Sequence, residues 1–199
     1  MTQPPCPDRA ESLALMHEFT ASDSLRKHML AVEAAMRAYA ERLGGDPHPW
    51  GVAGLLHDFD YERWPNPTHS ATEEHPAAGV RILRERHYPE EICEAILGHA
   101  SYSGVPRVTS MAKALFAVDE LTGLVTATAL VRPSRSIHEV EPAAVRKKMK
   151  DKGFARGVSR EDVTEGAIAL GVDLDAHIGV VIAAMRGVAG ELGLAGVPA

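Results

Sequence analysis

The sequence predicts an all-α fold in a single domain. Apolar residues recur at the three-to-four spacing of helical faces, Ser, Asp and Pro precede those stretches while Gly follows them, and the two-residue alternation of strands is scarce. At 199 residues the chain can bury a sizeable core. A hydrophobic fraction of 45% with 24% charged residues is that of an ordinary globular protein.

The first periodic stretch runs from Asp23 through Leu25, His28, Met29, Val32, Met36, Tyr39 and Leu43. Ser22 or Asp23 caps it and Gly44-Gly45 stops it. Pro47 to Pro49 opens a second helix carrying Trp50, Ala53, Leu56 and His57, and Asp60 to Glu74 reads as a loop with Pro65 and Pro67. Helices follow from Pro76 to about Arg86 and from Pro89 to about His99. After a break at Ser101 to Pro106, a long helix spans about Val108 to Leu130. The Arg- and Ser-rich segment Val131 to Ser136 is a second loop. Further helices are expected over Glu141–Lys150, Arg160–Leu170 and Leu174–Leu192, with frayed ends at residues 1–9 and 193–199. No internal repeat, low-complexity tract or linker divides the chain.

The formal net charge of −6 argues against a general nucleic-acid-binding surface. No apolar run is long enough to span a bilayer, and the N-terminus lacks a secretory pattern. Cys6 and Cys93 make no disulfide framework, so a reducing cytoplasm is the expected setting. The oligomeric state is open.

Polar residues stand where the helical stripes call for apolar ones. His28 lies between Leu25 and Val32, His99 follows Ile92, Ala95 and Ile96, and Asp119 shares a face with Ala112, Leu115, Phe116 and Gly123. Taken singly, each histidine fits a hydrogen-bonded core residue as well as a ligand, and Asp119 fits a buried salt bridge as well as a metal. The adjacent pair His57-Asp58, closing the apolar segment Val52 to Leu56, brings imidazole and carboxylate together at a helix end. That pairing suits Zn, Mn, Fe or Ni.

The order His28, His57-Asp58, Asp119 resembles the defining motif of the HD superfamily of metal-dependent phosphohydrolases. His75-Pro76 with Gly79 and Ile82-Leu83, and Gly98-His99-Ala100, are similar to further elements of its HDIG-type branch. Asp119 to Leu124, Ala129 to Ser134 and Lys147 to Lys152 resemble an uncharacterised bacterial subgroup, and the likeness covers Leu25 to Ala184. Ala100 stands where some two-metal members have a second histidine, and the Gly-Tyr-Pro motif of cyclic dinucleotide phosphodiesterases is missing. The resemblance implies an HD-type helical bundle over residues 10–192 with extra C-terminal helices.

It also implies that His28, His57, Asp58 and Asp119 hold one divalent ion (Mn, Fe, Ni, Co or Zn, with Mg an option). His75 and His99 would then either bind a second ion with Asp58 or support the ligands of the first. The implied reaction is hydrolysis of a phosphate ester, a nucleotide or another small phosphorylated metabolite, by metal-activated water. Asp58 or Asp60 would orient the water, and His75 or His99 would protonate the leaving oxygen. Asp60 fits a helix-end cap equally well. Arg132 and Arg135 are candidates for phosphate binding, as are Lys147, Lys148, Lys150 and Lys152, against the plain reading of both as solvated surface. His69 is a candidate for the pocket mouth, and His17, His48, His87, His138 and His177 are expected at the surface or at caps. Two other functions share the ligand pattern: a di-iron oxygenase and a non-catalytic HD regulatory module.

Overall fold

The computed structural model describes residues 6–196. Among them are ten α-helices and two single turns of 3-10 helix, with one isolated bridge, Ser136 to Ala195, in place of any β-ladder. Residues 1–5 and 197–199, the outer parts of the ends expected to fray, lie outside the described residues. No single described helix is long and apolar enough to cross a membrane.

Helix α1 (Arg9–Phe19) precedes the first helix expected from the sequence. Asp8 and Glu11 form a reciprocal capping box: the Asp8 carboxylate accepts from Glu11 N at 2.8 Å, and Glu11 accepts from Asp8 N at 3.2 Å. Its buried residues Ser12, Leu15, Met16 and Phe19 are spaced as one helical face, and the polar Ser12 at its start shortens the apolar stripe. Arg9 reaches from α1 to the buried Glu33 on α2 (Asp23–Leu43) at 2.7 Å, and Arg37 meets the same carboxylate at 2.9 Å.

The centre of the molecule is α3 (Pro47–Leu56). Asp46 caps it, Pro47 stands in its first turn, and Trp50 through Leu56 are all buried. A helix apolar on every side belongs inside, walled by other helices. Its neighbour α2 approaches so closely at Gly54 that a Cβ there would lie 2.9 Å from the Glu33 backbone nitrogen. On the other flanks lie α1 and α5 (Glu90–His99), with α4 (Ala77–Glu85) leading into α5.

The long α6 (Ser110–Leu130), capped by Thr109, packs on α2 and α5. After it come α7 (Pro142–Met149), α8 (Arg160–Leu170), α9 (Leu174–Gly187) and α10 (Ala189–Leu192). Gly166 of α8 sits against Ala117 of α6, where a Cβ would come within 2.5 Å of the Ala117 Cα. The single helix expected over Leu174–Leu192 is broken at Val188, whose φ of −120° and ψ of 19° leave the helical region just after Gly187. Beyond α10, Leu194 is buried and its carbonyl accepts from Ile137 N at 2.9 Å, so the described part of the C-terminal segment is tied to the bundle.

His177 corrects the expectation of a surface or capping histidine. It is fully buried on α9, takes a hydrogen bond from the Tyr39 hydroxyl at Nδ1, and donates from Nε2 to the Ala117 carbonyl at 2.9 Å. One imidazole thus joins α9 to α2 and α6. It sits in the first turn of a helix that Asp173 caps, and that placement made it resemble a cap residue in sequence. Burial pushes the His177 pKa below its usual value and the Tyr39 hydroxyl up to about 12, which keeps Tyr39 the donor.

Replacing Tyr39 with Phe should leave the Nδ1 of His177 without a donor and lower unfolding free energy by about 1–3 kcal/mol, read as a fall in the urea midpoint. The pH effect has a definite sign. The unfolded chain binds a proton near the ordinary value of 6.5 and the buried ring resists it, so the contribution is complete above 6.5 and is lost as pH falls through the lower folded value. A His177→Gln variant should therefore lose less stability on acidification than the wild type, measured as paired urea midpoints across that range.

Candidate metal centre

His57 and Asp58 leave α3 at its C-terminus, where the backbone stops repeating and consecutive side chains can both turn inward. His57 is fully buried and donates from Nδ1 to the Gly54 carbonyl at 2.8 Å, one of the acceptors a helix end leaves over. Its Nε2 then points away from the helix, 3.2 Å from Nε2 of His28 on α2 and 3.4 Å from Oδ1 of Asp119 on α6. His28 Nε2 lies 2.9 Å from the same Asp119 oxygen. Behind these groups the Thr122 hydroxyl donates to the Asp119 carbonyl at 2.8 Å and faces Nδ1 of His28 at 3.4 Å. Three helices thus contribute one donor each.

A second group adjoins the first through Asp58. Its Oδ1 lies 3.2 Å from Nε2 of His75 and 3.6 Å from Nε2 of His99, and those two nitrogens are 3.3 Å apart. Its Oδ2 faces the other way, 3.5 Å from Nε2 of His57 and 3.8 Å from Nε2 of His28. His75 donates from Nδ1 to Asp60 at 2.7 Å, and Asp60 accepts with its other oxygen from Gly79 N at 2.7 Å. A Cβ on Gly79 would lie 2.6 Å from the Asp60 carboxyl carbon, so this glycine is what lets the carboxylate reach the backbone. His99 donates from Nδ1 to the Ile96 carbonyl, and the Tyr102 hydroxyl donates to the His75 carbonyl at 2.7 Å.

The donor chemistry fits divalent ions. Each of the four imidazoles faces an oxygen with Nδ1, which leaves Nε2 as the coordinating atom. Nε2 atoms 3.2 and 3.3 Å apart repel unless a proton or a cation lies between them. His28, His57 and Asp119 form one set of three donors within 4.8 Å of one another, and Asp58, His75 and His99 form another. Nitrogen and carboxylate oxygen together suit first-row transition ions.

The electrostatics agree. Burial opposes charge on His57, but Asp58 and Asp119 outweigh it and push the pKa up to about 9. Burial likewise opposes ionisation of Asp58 and Asp119, yet the surrounding imidazoles hold both carboxyls well below the usual range. These two partly buried anions attract positive charge, whether proton or metal.

The site opens into a cavity of about 510 Å³. Of the residues anticipated from sequence, His28, Asp58, His75, His99, Asp119 and His69 stand in its wall, with His69 stacked on Tyr102 at 4.7 Å. His57 lies beneath the floor, fully buried. Asp60 is buried too, engaged by His75 and Gly79, so it positions His75 and does not face the cavity.

Arg132 and Arg135 are not brought to this cavity, which corrects their expected role at the site. They follow the end of α6, and eleven residues of rigid helix separate Asp119 from Leu130, on the order of 16 Å of rise. Arg132 instead lies 3.8 Å from Glu139, and Arg135 is an exposed residue with φ of 49°. Lys147, Lys148, Lys150 and Lys152 are absent from the wall as well, and Lys148 rests over the Phe154 ring at 4.4 Å. Tyr61, Asn66, Tyr102, Phe116, Glu120 and Asp162 line the cavity without having been anticipated. Glu120 was legible as the neighbour of Asp119, one position on. Burial first, and then the Asp119 charge, push its carboxyl up to about 7. Asp162 gave no local sign, since α8 reaches the site only through its packing on α6.

Comparison with protein families finds that the model described as HD domain matches residues 25–124, half of the chain and the stretch that holds all six donors. No solved structure matches the chain.

Asp60→Ala should release the His75 ring and weaken metal retention about 10- to 100-fold, measured by competition with a chelator. Arg132→Ala and Arg135→Ala should leave metal retention unchanged in the same assay.

Proposed function

The chain belongs to the HD domain family, and on that premise we propose that it is a metal-dependent hydrolase of a phosphate ester carried by a small metabolite. The observation that carries this reading is the shared Asp58, whose two oxygens face two separate sets of donors. We assign His28, His57 and Asp119 to one divalent ion and His75 and His99 to a second, with Asp58 between them. Bound ions of this kind supply positive charge to a phosphoryl group and lower the pKa of coordinated water toward neutrality.

The chain's own residues then have definite tasks. Gly54, Ile96, Thr122 and Asp60 hold the four imidazole rings by their Nδ1 atoms, so the Nε2 lone pairs are set before substrate arrives. His75 and His99 have both nitrogens occupied on this reading, one by support and one by coordination. That makes them holders of the ion, with no proton left to give the leaving oxygen. Tyr61, Asn66 and Tyr102 also line the cavity, with the Tyr102 hydroxyl held between Asn66 and the His75 carbonyl, so that wall is fixed around the phosphoryl site.

The test is a phosphatase and phosphodiesterase screen with Mn, Mg, Ni, Co and Fe supplied separately. Phosphate release dependent on one or more of these ions supports the reading. Redox-active iron with oxygen consumption and no phosphate release with any ion would replace it by the di-iron oxygenase, which the same six donors suit.

Removing donors should separate the two halves of the site. Asp58→Ala should lose both ions and all activity, whereas His75→Ala and His99→Ala should keep about one equivalent and lose most activity. Elemental analysis of the purified variants beside the activity assay checks this, and full occupancy in Asp58→Ala would overturn the assignment.

A further inference from the structure

A second cavity, of about 280 Å³, lies beside the first, and His28 and Gly123 stand in the wall of both. It runs along α6 past Thr126 and Leu130, with the start of α2 on one side and Leu192 and Leu194 of the C-terminal segment on the other. Asp119, Gly123, Thr126 and Leu130 are spaced by four, three and four residues, so one face of α6 leads from the metal centre into this cavity.

Gly123 is unexplained by packing. It occupies the interior of a 21-residue helix, where glycine is the least favourable residue after proline. The molecule's close helix contacts do need their glycines, Gly54 and Gly166 having backbone within 3.0 Å of a Cβ. At Gly123 an added Cβ would meet only the Val158 side chain at 3.5 Å, an ordinary contact. Gly123 stands in the wall of both cavities, so its lack of a side chain leaves bare backbone where the two adjoin.

We propose that Gly123 keeps open a passage from the metal centre, and that the second cavity receives the part of the substrate that does not react. This rests on the phosphate-ester reading of the metal centre and narrows the substrate class. Leu130, Leu192 and Leu194 give the cavity its apolar lining, and its polar lining comes from Thr126, from Ser24, whose hydroxyl bonds that of Ser22 at 2.9 Å, and from Asp23 and Lys27, which pair with each other at 2.7 Å. The fitting substrate is an elongated phosphomonoester whose alcohol carries an apolar chain or ring.

The experiment is calorimetric binding of ethylphosphonate and octylphosphonate, which cannot be hydrolysed, to the metal-loaded full chain. Burial of successive methylenes strengthens binding roughly three- to fourfold each, so even partial entry of the octyl chain should make it at least about tenfold tighter than ethyl. Gly123→Ala should reduce the octyl-over-ethyl ratio, and Thr126→Phe, which fills the cavity from a position outside the metal centre, should bring it close to one. Metal content is measured for each variant. Equal affinity of the two probes in the wild type, or a ratio unchanged in both folded variants, would overturn the proposal while leaving the phosphoryl site standing. If neither phosphonate binds the metal-loaded wild type, the phosphate-ester reading fails and the substrate assignment falls with it.

Discussion

The Asp58 carboxylate is the constraint on which the arrangement turns. It is held between four imidazoles, with each oxygen facing a different pair. A largely buried carboxylate is stable where positive charge or donors surround it, and here that surrounding comes from α2, the end of α3, α5 and the loop after α3 together. The apolar α3 makes this possible by running through the middle of the bundle and ending at His57. Every other donor is delivered to the point where that helix stops.

The second layer explains why the donors are aimed and not merely close. His57 and His99 are each tied to a carbonyl three residues earlier in their own helices, Gly54 and Ile96, so the helix end orients its own histidine. His75 has no such helix behind it and depends on Asp60, which in turn depends on Gly79. The intervening segment is correspondingly well tied. Glu74 accepts from the backbone of Thr68 and Ser70, His75 N donates to the Trp64 carbonyl at 2.8 Å, and Asn66 donates to Tyr102. A stretch that reads as loop by its prolines behaves as a scaffold because its polar groups are satisfied locally.

The charge of the cavity bears on the proposed chemistry. Among the described residues no Lys or Arg stands in its wall, whereas Glu120 and Asp162 do. On the phosphate-ester reading the positive charge facing a phosphoryl group is therefore that of the bound ions, and protein cations are not the means of recognition. Shape is left to discriminate among substrates, and the α6 face beyond Asp119 leads from this cavity to the second.

How much was legible in advance follows from the range of the forces involved. Most helix positions were readable from periodicity, caps and prolines, because all are local: Ser22, an expected cap of α2, accepts from Leu25 N three residues on. His28, His99 and Asp119 stood out on apolar stripes without being specific singly, and His57-Asp58 stood out as an adjacent pair at a helix end. The order of these residues carried the family resemblance, which alone pointed to His75. Helix α1 was missed because its stripe is short and interrupted by Ser12, and His177 was misplaced because its partners, Tyr39 and Ala117, are 138 and 60 residues away. Arg132 and Arg135 were assigned to the site on nearness in sequence to Asp119, which a rigid helix converts into distance in space. The sequence by itself determined the all-α class, most of the helices and several of the polar side chains that stand on apolar stripes. Tertiary packing alone decided which of them meet, what supports them and which cavities they face, since those depend on crossings between helices far apart in the chain.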